Sequence, residues 1–383
     1  MRSTVSLIIY IGNGVVKGAL VGNSKVPYVI HTESVDIPFQ EVADPSRLES
    51  LALGALDTVC QNIKIKGFPR LAEKKFSAHI SRTSCVFSSP WYISQTCLVK
   101  KKSEKPFVVK DSIMDELIKT AEQEIEKNHT NQGLVPIEKR VVSVSLNGYH
   151  LSSPLHKTAH QIDLSLFLSF AEKNIVQKVT STITKHLHPG KLTLHSLSLV
   201  AFSTARDIWS SLGHFMLVDV TSELTELTLI KNNAISETVT FPYGKNALVR
   251  SLSQDMHVTG EVASSLLRLW QSKSIDPSMQ AKVEAAIKKA RADWLSFFSK
   301  TLTSLSVGTS LPSRFLLIAH DDISPLFSDF VEGEQYNQFS FAEGNFSVTR
   351  LTSADVAKYC SFDPEAEQDV VLTFSTLFDQ KLS

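Results

Sequence analysis

Apolar positions in the first 37 residues fall in three runs, 5–11, 15–21 and 29–37, separated by Gly12-Asn13-Gly14 and Gly22-Asn23-Ser24. Short apolar runs bounded by Gly and Asn predict strands joined by tight turns. Over 45–64 the period changes: Leu48, Leu51, Leu53, Leu56, Val59 and Ile63 recur near helical spacing, and Gly67-Phe68-Pro69 is expected to end that helix. The stretch 74–169 has a different texture. It predicts strands at 76–80 and 92–99, a basic tract at 100–105 read as a solvated hairpin tip, and a helix at 110–128. A polar loop at 129–133 and strands at 140–146 and 160–168 complete it, giving a small β-α-β-β insert. A helix at 170–187 and a strand at 192–199 return to the first pattern.

Residues 216–244 carry the most information. An apolar run ends in Asp219, a polar turn follows, then a strand holding Leu227 and Leu229, the turn Lys231-Asn232-Asn233, and Phe241-Pro242-Tyr243-Gly244. A tight turn behind a strand can aim successive N–H groups at a phosphate, with the acid placed to order a metal-bound water. The same strand–turn–strand arrangement occurs at Tyr10-Ile11-Gly12-Asn13-Gly14-Val15-Val16-Lys17, about 200 residues earlier. Two such hairpins predict two lobes around a nucleotide, and their shared start hints at an internal duplication. Helices at 247–256, 260–271 and 277–305, a buried strand at 314–319 and a helix at 324–331 fill the second lobe, and 370–378 reads as a final packed element.

A chain of 383 residues suits two lobes rather than one core. Apolar residues make up 43% and charged residues 20%, ordinary for a soluble protein, and net charge is zero. No bulk electrostatic case for nucleic acid or an anionic membrane follows. Cys60, Cys85, Cys97 and Cys360 lack metal spacing and read as reduced thiols of a cytosolic protein. The N-terminal apolar run is too short for a signal peptide, and no run is long enough to span a membrane. The twelve histidines fit no ligand spacing, and no nucleophile elbow or Cys–His pair is present.

With these elements placed, the chain resembles the FtsA/PilM branch of the actin-like ATPase superfamily over nearly its whole length, with degenerate motifs. The family's first phosphate motif, Asp-x-Gly-x-x-x-x-Lys, is matched by Gly12 and Lys17 but has Tyr10 for the acid. In the second, Asp219, Glu223, Thr225 and Leu227 match and Thr221 replaces the glycine. Phe241-Pro242-Tyr243-Gly244-Lys245-Asn246 resembles the family's turn into a helix, and Val258-Thr259-Gly260-Glu261 its short acidic turn. The adenosine motif ends in Ala319-His320 where the family has two glycines. The segment 144–157 looks like FtsA's strand, tyrosine and Asn-Pro-x-Gly turn, with His156 at the glycine position.

The resemblance implies an α/β, two-lobed actin-like (ribonuclease H-like) fold with an SHS2-type 1C domain inserted in the first lobe. The implied divisions are 1–73 and 170–212 for lobe 1, 74–169 for the insert and 213–383 for lobe 2. Gly12, Asn13, Gly14, Lys17, Asp219, Thr221, Glu223, Thr225 and Gly244 are the implied nucleotide-site residues. The implied cofactor is ATP with Mg²⁺, bound weakly or lost. Tyr10 cannot supply the metal-ordering charge, and Thr221, Ala319 and His320 carry Cβ atoms where close backbone approach needs glycine. Lys17 and Asp219 either contact a nucleotide weakly or pair across closed lobes; Glu223 and Glu226 either orient water or sit solvated at a hairpin edge. The implied role is a non-enzymatic or weakly nucleotide-binding scaffold or adaptor that assembles a membrane-associated machine, in cell division or type IV pilus assembly. The implied partners are an inner-membrane protein's tail or a division filament, with self-association and without nucleic acid. The implied place is the cytoplasm, peripheral to the inner membrane through a partner. An active, polymerising ATPase is the alternative, and a sugar kinase or chaperone relative the remote one. The tail offers an FtsA-type anchor little support, because Lys381 is its one basic flank.

Overall fold

The computed structural model describes residues 4–129, 133–151, 153–209, 212–333, 339 and 346–382; the centre of the polar loop expected at 129–133, and Ser152 in the segment 144–157, lie outside these. Strands β1 (Val5–Ile11), β2 (Val15–Gly22) and β3 (Tyr28–Asp36) form an antiparallel meander. Helix α1 (Pro45–Asn62) follows, with Asp44 accepting from the Ser46 and Arg47 amides and Pro45 at its first position, where no N–H is needed. The helix does not stop at Gly67-Phe68-Pro69. It runs through one wide π-turn, Ile63–Gly67, into α2 (Phe68–Glu73). Pro69 falls in the first turn of α2, where proline is tolerated. A Cβ at Gly67 would lie 2.8 Å from Leu20 and 2.9 Å from His31, so only glycine lets this turn sit so close to the sheet.

The strand expected at 76–80 is displaced to β4 (Ile80–Phe87), parallel to β1. Phe76 instead anchors the turn before it, stacked on Tyr28 with ring centroids 6.3 Å apart. Next come β5 (Ile93–Val108), α3 (Asp111–His129), β6 (Leu134–Leu146), β7 (Tyr149–His150) and β8 (Thr158–Glu172). They make a separate sheet in the order β5-β8-β6-β7. Helix α3 packs on one face through Leu117, Ala121 and Ile125 against Ile162, Leu164 and Leu166. The lysine tract is no hairpin tip: Lys100–Lys102 extend edge strand β5 against β8. His156 holds φ +63°, so the left-handed turn persists without its glycine.

Helix α4 (Lys173–Leu187), β9 (Lys191–Ser196) and α5 (Leu197–Ile208) return to the first sheet. Helix α5 escapes the sequence reading, which runs a strand through its first residues. Leu197 to Phe202 are all buried, so no apolar stripe marks a period. The second sheet contains β10 (Phe215–Val220), β11 (Thr225–Lys231) and β12 (Ala234–Phe241). Asn232 and Asn233, at φ +50° and +58°, form the tight turn between the last two. Helices α6 (Lys245–Met256), α7 (Gly260–Gln271) and α8 (Pro277–Leu305), strand β13 (Arg314–Ala319), helix α9 (Ser324–Glu332) and strand β14 (Ser347–Arg350) follow.

The closing elements, α10 (Ser353–Val356), β15 (Ser361–Phe362) and α11 (Val370–Lys381), return to the first lobe. Leu372, Phe374 and Phe378 of α11 are buried in the core beneath the first sheet. Asp379 receives Arg82 Nε at 2.8 Å, Arg82 Nη2 at 2.7 Å and Ser84 Oγ at 2.5 Å.

The first sheet reads β15-β3-β2-β1-β4-β9 and the second β12-β11-β10-β13-β14. Apart from β15, each has an antiparallel meander at one end and parallel crossover strands at the other. This is one topology used twice. The β1–β2 and β10–β11 turns occupy equivalent places, at the ends of central strands that run parallel to β4 and β13.

Candidate functional site

The two turns meet face to face. Asn13, 1% exposed, lies between them. Its Nδ2 donates to Ser89 O at 2.7 Å and to Thr221 Oγ1 at 2.8 Å, and its Oδ1 accepts from the Glu223 amide at 3.0 Å. A Cβ on Gly14 would lie 1.7 Å from Ser222 Oγ. Backbone from one lobe therefore rests on a side chain of the other. Gly12 serves the turn itself: a Cβ there would meet Tyr10 Oη and Val15 O, both at 2.9 Å, and its carbonyl accepts from Trp91 Nε1 at 2.7 Å.

The second turn satisfies its own polar groups. Thr221 Oγ1 donates to Leu224 O at 2.8 Å, closing the bend with a side chain. Gly244 precedes α6 and packs on this bend: a Cβ would be 2.4 Å from Thr221 O. The first amides of α6 are spent there, Lys245 N on Thr221 O at 3.0 Å and Asn246 N on Ser222 O at 2.6 Å. These are the N–H groups a helix start would otherwise offer to an anion. Glu223 is not solvated. It accepts from Asn246 Nδ2 at 2.7 Å and Arg250 Nη2 at 2.6 Å. Thr225 is fully buried away from the cleft, donating to Tyr243 O at 2.6 Å and accepting from Trp294 Nε1 at 3.1 Å.

Beside the touching turns runs a cleft of about 580 Å³, lined by Asn13, Gly14, Lys17, Asp219 and Thr221 among others. Of the nine residues proposed from sequence, Gly12, Glu223, Thr225 and Gly244 do not line it. Lys17 does not pair with Asp219. It is ion-paired with Asp369, which also caps α11 through the Leu372 amide at 2.8 Å. Across the cleft Lys245 meets Asp322 at 2.5 Å, and His320 Nδ1 meets the same carboxylate at 2.8 Å. Burial alone would raise the Asp322 pKa, but the bonds from His320 and Lys245 outweigh it and bring it down to about 2. The bond to Asp322 raises His320 above the ordinary imidazole value.

Two acids lie deeper. Asp219 and Glu226 face each other across the β10–β11 ladder. Glu226 is 5% exposed, so it too departs from the solvated edge expected of it; Ser89 Oγ donates to it at 2.5 Å and Tyr92 Oη at 2.6 Å. Asp219 receives Ser88 Oγ at 3.4 Å. Burial, then the neighbouring Glu226 charge, pushes Asp219 up to about 8. Burial also raises Glu226, against the two hydroxyl bonds. Tyr10 is buried near Asp219, and burial first, then that charge, raises its pKa, so it stays a neutral phenol.

Asp369, Asp322, Arg250 and Ser222 were not among the residues proposed from sequence. Only Asp369 carries a local signal, as an acid one residue before an apolar helical run. The four cysteines are free thiols, three of them buried. Among the described residues no cluster of His, Cys, Asp or Glu could hold a metal ion, and no helix is long and apolar enough to cross a membrane.

No family model and no curated protein matches the chain. Solved structures do. A structure described as the PilM-PilN type IV pilus biogenesis complex aligns with a TM-score of 0.62 at 12% identity, covering 97% of this chain and 98% of that one. The ethanolamine utilization protein EutJ from Carboxydothermus hydrogenoformans aligns at 0.43 and 8% identity, over 98% and 89%. A Bacteroides thetaiotaomicron protein with an actin-like ATPase fold aligns at 0.42 and 9%, over 99% and 96%. The last two alignments are too loose to add weight. Together with the twice-used sheet topology, the first establishes that this chain has the two-lobed actin-like fold.

Proposed function

We propose that this protein is a non-enzymatic, actin-like scaffold or adaptor of a membrane-associated assembly machine, of the PilM-like kind, whose nucleotide site has been converted into a fixed contact between lobes. The observation that carries it is Asn13, which bonds the two phosphate-type turns to each other where a nucleotide's phosphates would separate them. The lysine that would meet phosphate is neutralised by Asp369, and a phenol stands where the metal-ordering acid belongs. The domain reading goes with it, with bounds amended because β4 lies in the first sheet and the closing elements pack on it: 1–92, 173–212 and 353–382 as the first lobe instead of 1–73 and 170–212, 213–350 as the second instead of 213–383, and 93–172 instead of 74–169 as an SHS2-type 1C insert that meets partners. The PilM-like structure favours pilus assembly over cell division, and with it capture of a membrane protein's tail as the route from the cytoplasm to the inner membrane.

Equilibrium titration with labelled Mg-ATP tests the closed site. No saturable binding below millimolar nucleotide and no turnover above background are expected; turnover that Asp219→Ala abolishes would overturn the reading. Flotation with anionic liposomes tests the adaptor role, the protein alone remaining at the bottom. Flotation of the intact protein by itself would restore the anchored, FtsA-like alternative.

A further inference from the structure

The connection from β3 to α1, residues 37–44, crosses from its own lobe to the other. Ile37 is fixed at home, its amide donating to Gly14 O at 2.8 Å. From Pro38 to Ala43, every hydrogen bond among the described residues goes to the second lobe. Arg250 Nη1 donates to Gln40 O at 3.2 Å, and the Gly260 amide donates to Glu41 Oε1 at 2.9 Å. Phe39 packs on the second lobe's core, with the Arg250 guanidinium 6.0 Å from its ring centre. A Cβ on Gly260 would lie 2.1 Å from Phe39 Cε1, so α7 begins with glycine where the ring is seated. Pro38 and Phe39 thereby form part of the cleft wall that Val249 and Leu267 also line.

The seat carries a penalty. Gln40 is 3% exposed, and its Oε1 has no hydrogen-bond partner among the described residues. A buried acceptor without a partner disfavours the closed position, and release into water removes that cost. Beyond Glu41 the strap is solvated, Val42 being 80% exposed. Its two ends are anchored separately, by the Ile37 amide and by the Asp44 cap of α1. The span between them can therefore swing without disturbing either β3 or α1.

We propose that residues 38–43 are a latch, a strap of the first lobe that lifts off the second by itself and uncovers the apolar end of the cleft while the Asn13 contact stays closed. Native-state hydrogen exchange of the full chain tests it at two amides. The first amide of a helix has no partner within the helix, so protection at Gly260 reports Glu41 and the strap, whereas protection at Glu223 reports Asn13. Gly260 should exchange at least tenfold faster than Glu223 after correction for intrinsic rates, because local openings differ in free energy. Phe39→Ala should speed Gly260 about tenfold more, as for loss of a half-buried aromatic ring, and leave Glu223 unchanged. Gln40→Met should slow Gly260, because it removes the orphan acceptor. Cleavage after Glu41 by a glutamate-specific protease gives a second readout. It should accelerate in Gly260→Ala, whose new Cβ displaces the ring, and be no faster in the double variant with Phe39→Ala than in Phe39→Ala alone. Equal protection at the two amides, a shared response to Phe39→Ala, or faster exchange in Gln40→Met would overturn the latch. If Phe39→Ala does not fold, Gly260→Ala decides from the other side, and unaltered cleavage there would overturn it equally.

Discussion

Replacing Asn13 by alanine removes the link between the turns without touching either strand. Three hydrogen bonds disappear, two donated and one accepted, from a side chain that is 1% exposed. At a net of about 1 kcal/mol each, the loss is about 3 kcal/mol. That is roughly a 150-fold change in an equilibrium constant, at 1.36 kcal/mol per decade. Asn13→Asp should cost at least as much, since a carboxylate cannot donate to Ser89 O or Thr221 Oγ1 and adds a charge near Asp219. Two measurements check this: the urea unfolding midpoint, and native-state hydrogen exchange of the Glu223 amide, which donates to Asn13 Oδ1. Exchange at Glu223 should accelerate by a similar factor even where distant amides are unchanged, because parting the turns is a local opening before it is a global one. A destabilisation below about 1 kcal/mol, with unaltered exchange at Glu223, would show that the turns do not hold each other and remove the basis for a closed site.

Gly14→Ala should destabilise the lobe contact, because its Cβ would lie 1.7 Å from Ser222 Oγ, and Ser222→Gly should restore most of the loss; no rescue in thermal unfolding would refute the contact. Asp219 and Glu226 have raised folded-state pKa values, so their contribution is fully present below about pH 4, the unfolded carboxyl range. It is lost as pH rises through about 8 for Asp219; Asp219→Asn should flatten that decline, and an unchanged pH profile of stability would contradict it. Asp379→Ala removes the carboxylate that Arg82, 15% exposed at its side chain, grips with two hydrogen bonds, and should cost about 3–5 kcal/mol; a midpoint within error of wild type would show that this ion pair does not hold the closing helix.

Much of the architecture was legible because the relevant signals are local. Turns at Gly12-Asn13-Gly14 and Asn232-Asn233 and the helical spacing from Leu48 to Ile63 each follow from backbone preference or periodicity. What stayed hidden depends on partners distant in sequence. Lys17 and Asp369 are 352 positions apart, and nothing near either residue names the other. Glu226 reads as a solvated strand-edge acid until Tyr92 and Ser89 are brought over it. Thr225 matches a motif position, yet its hydroxyl is committed to Tyr243 and Trp294. The lysines at 100–102 read as a loop because charge suggests solvent, but an exposed sheet edge satisfies the same preference.

The four-stranded sheet is bonded on both of its flanks. Toward the first lobe, Glu138 meets His195 Nδ1 at 2.8 Å and Ser196 Oγ at 2.9 Å. Toward the second, Thr96 Oγ1 meets Ile235 O at 3.2 Å, and Tyr92, just before β5, reaches Glu226 at 2.6 Å. With Asn13 joining the two lobes directly, the three sheets make a triangulated frame, and a triangle cannot shear unless one joint breaks. An actin-like chain that hinges on its nucleotide needs one side of that triangle free. Here all three sides are pinned, so a load applied to the outer end of the four-stranded sheet travels into both lobes at once, and the chain answers it as a strut rather than a hinge.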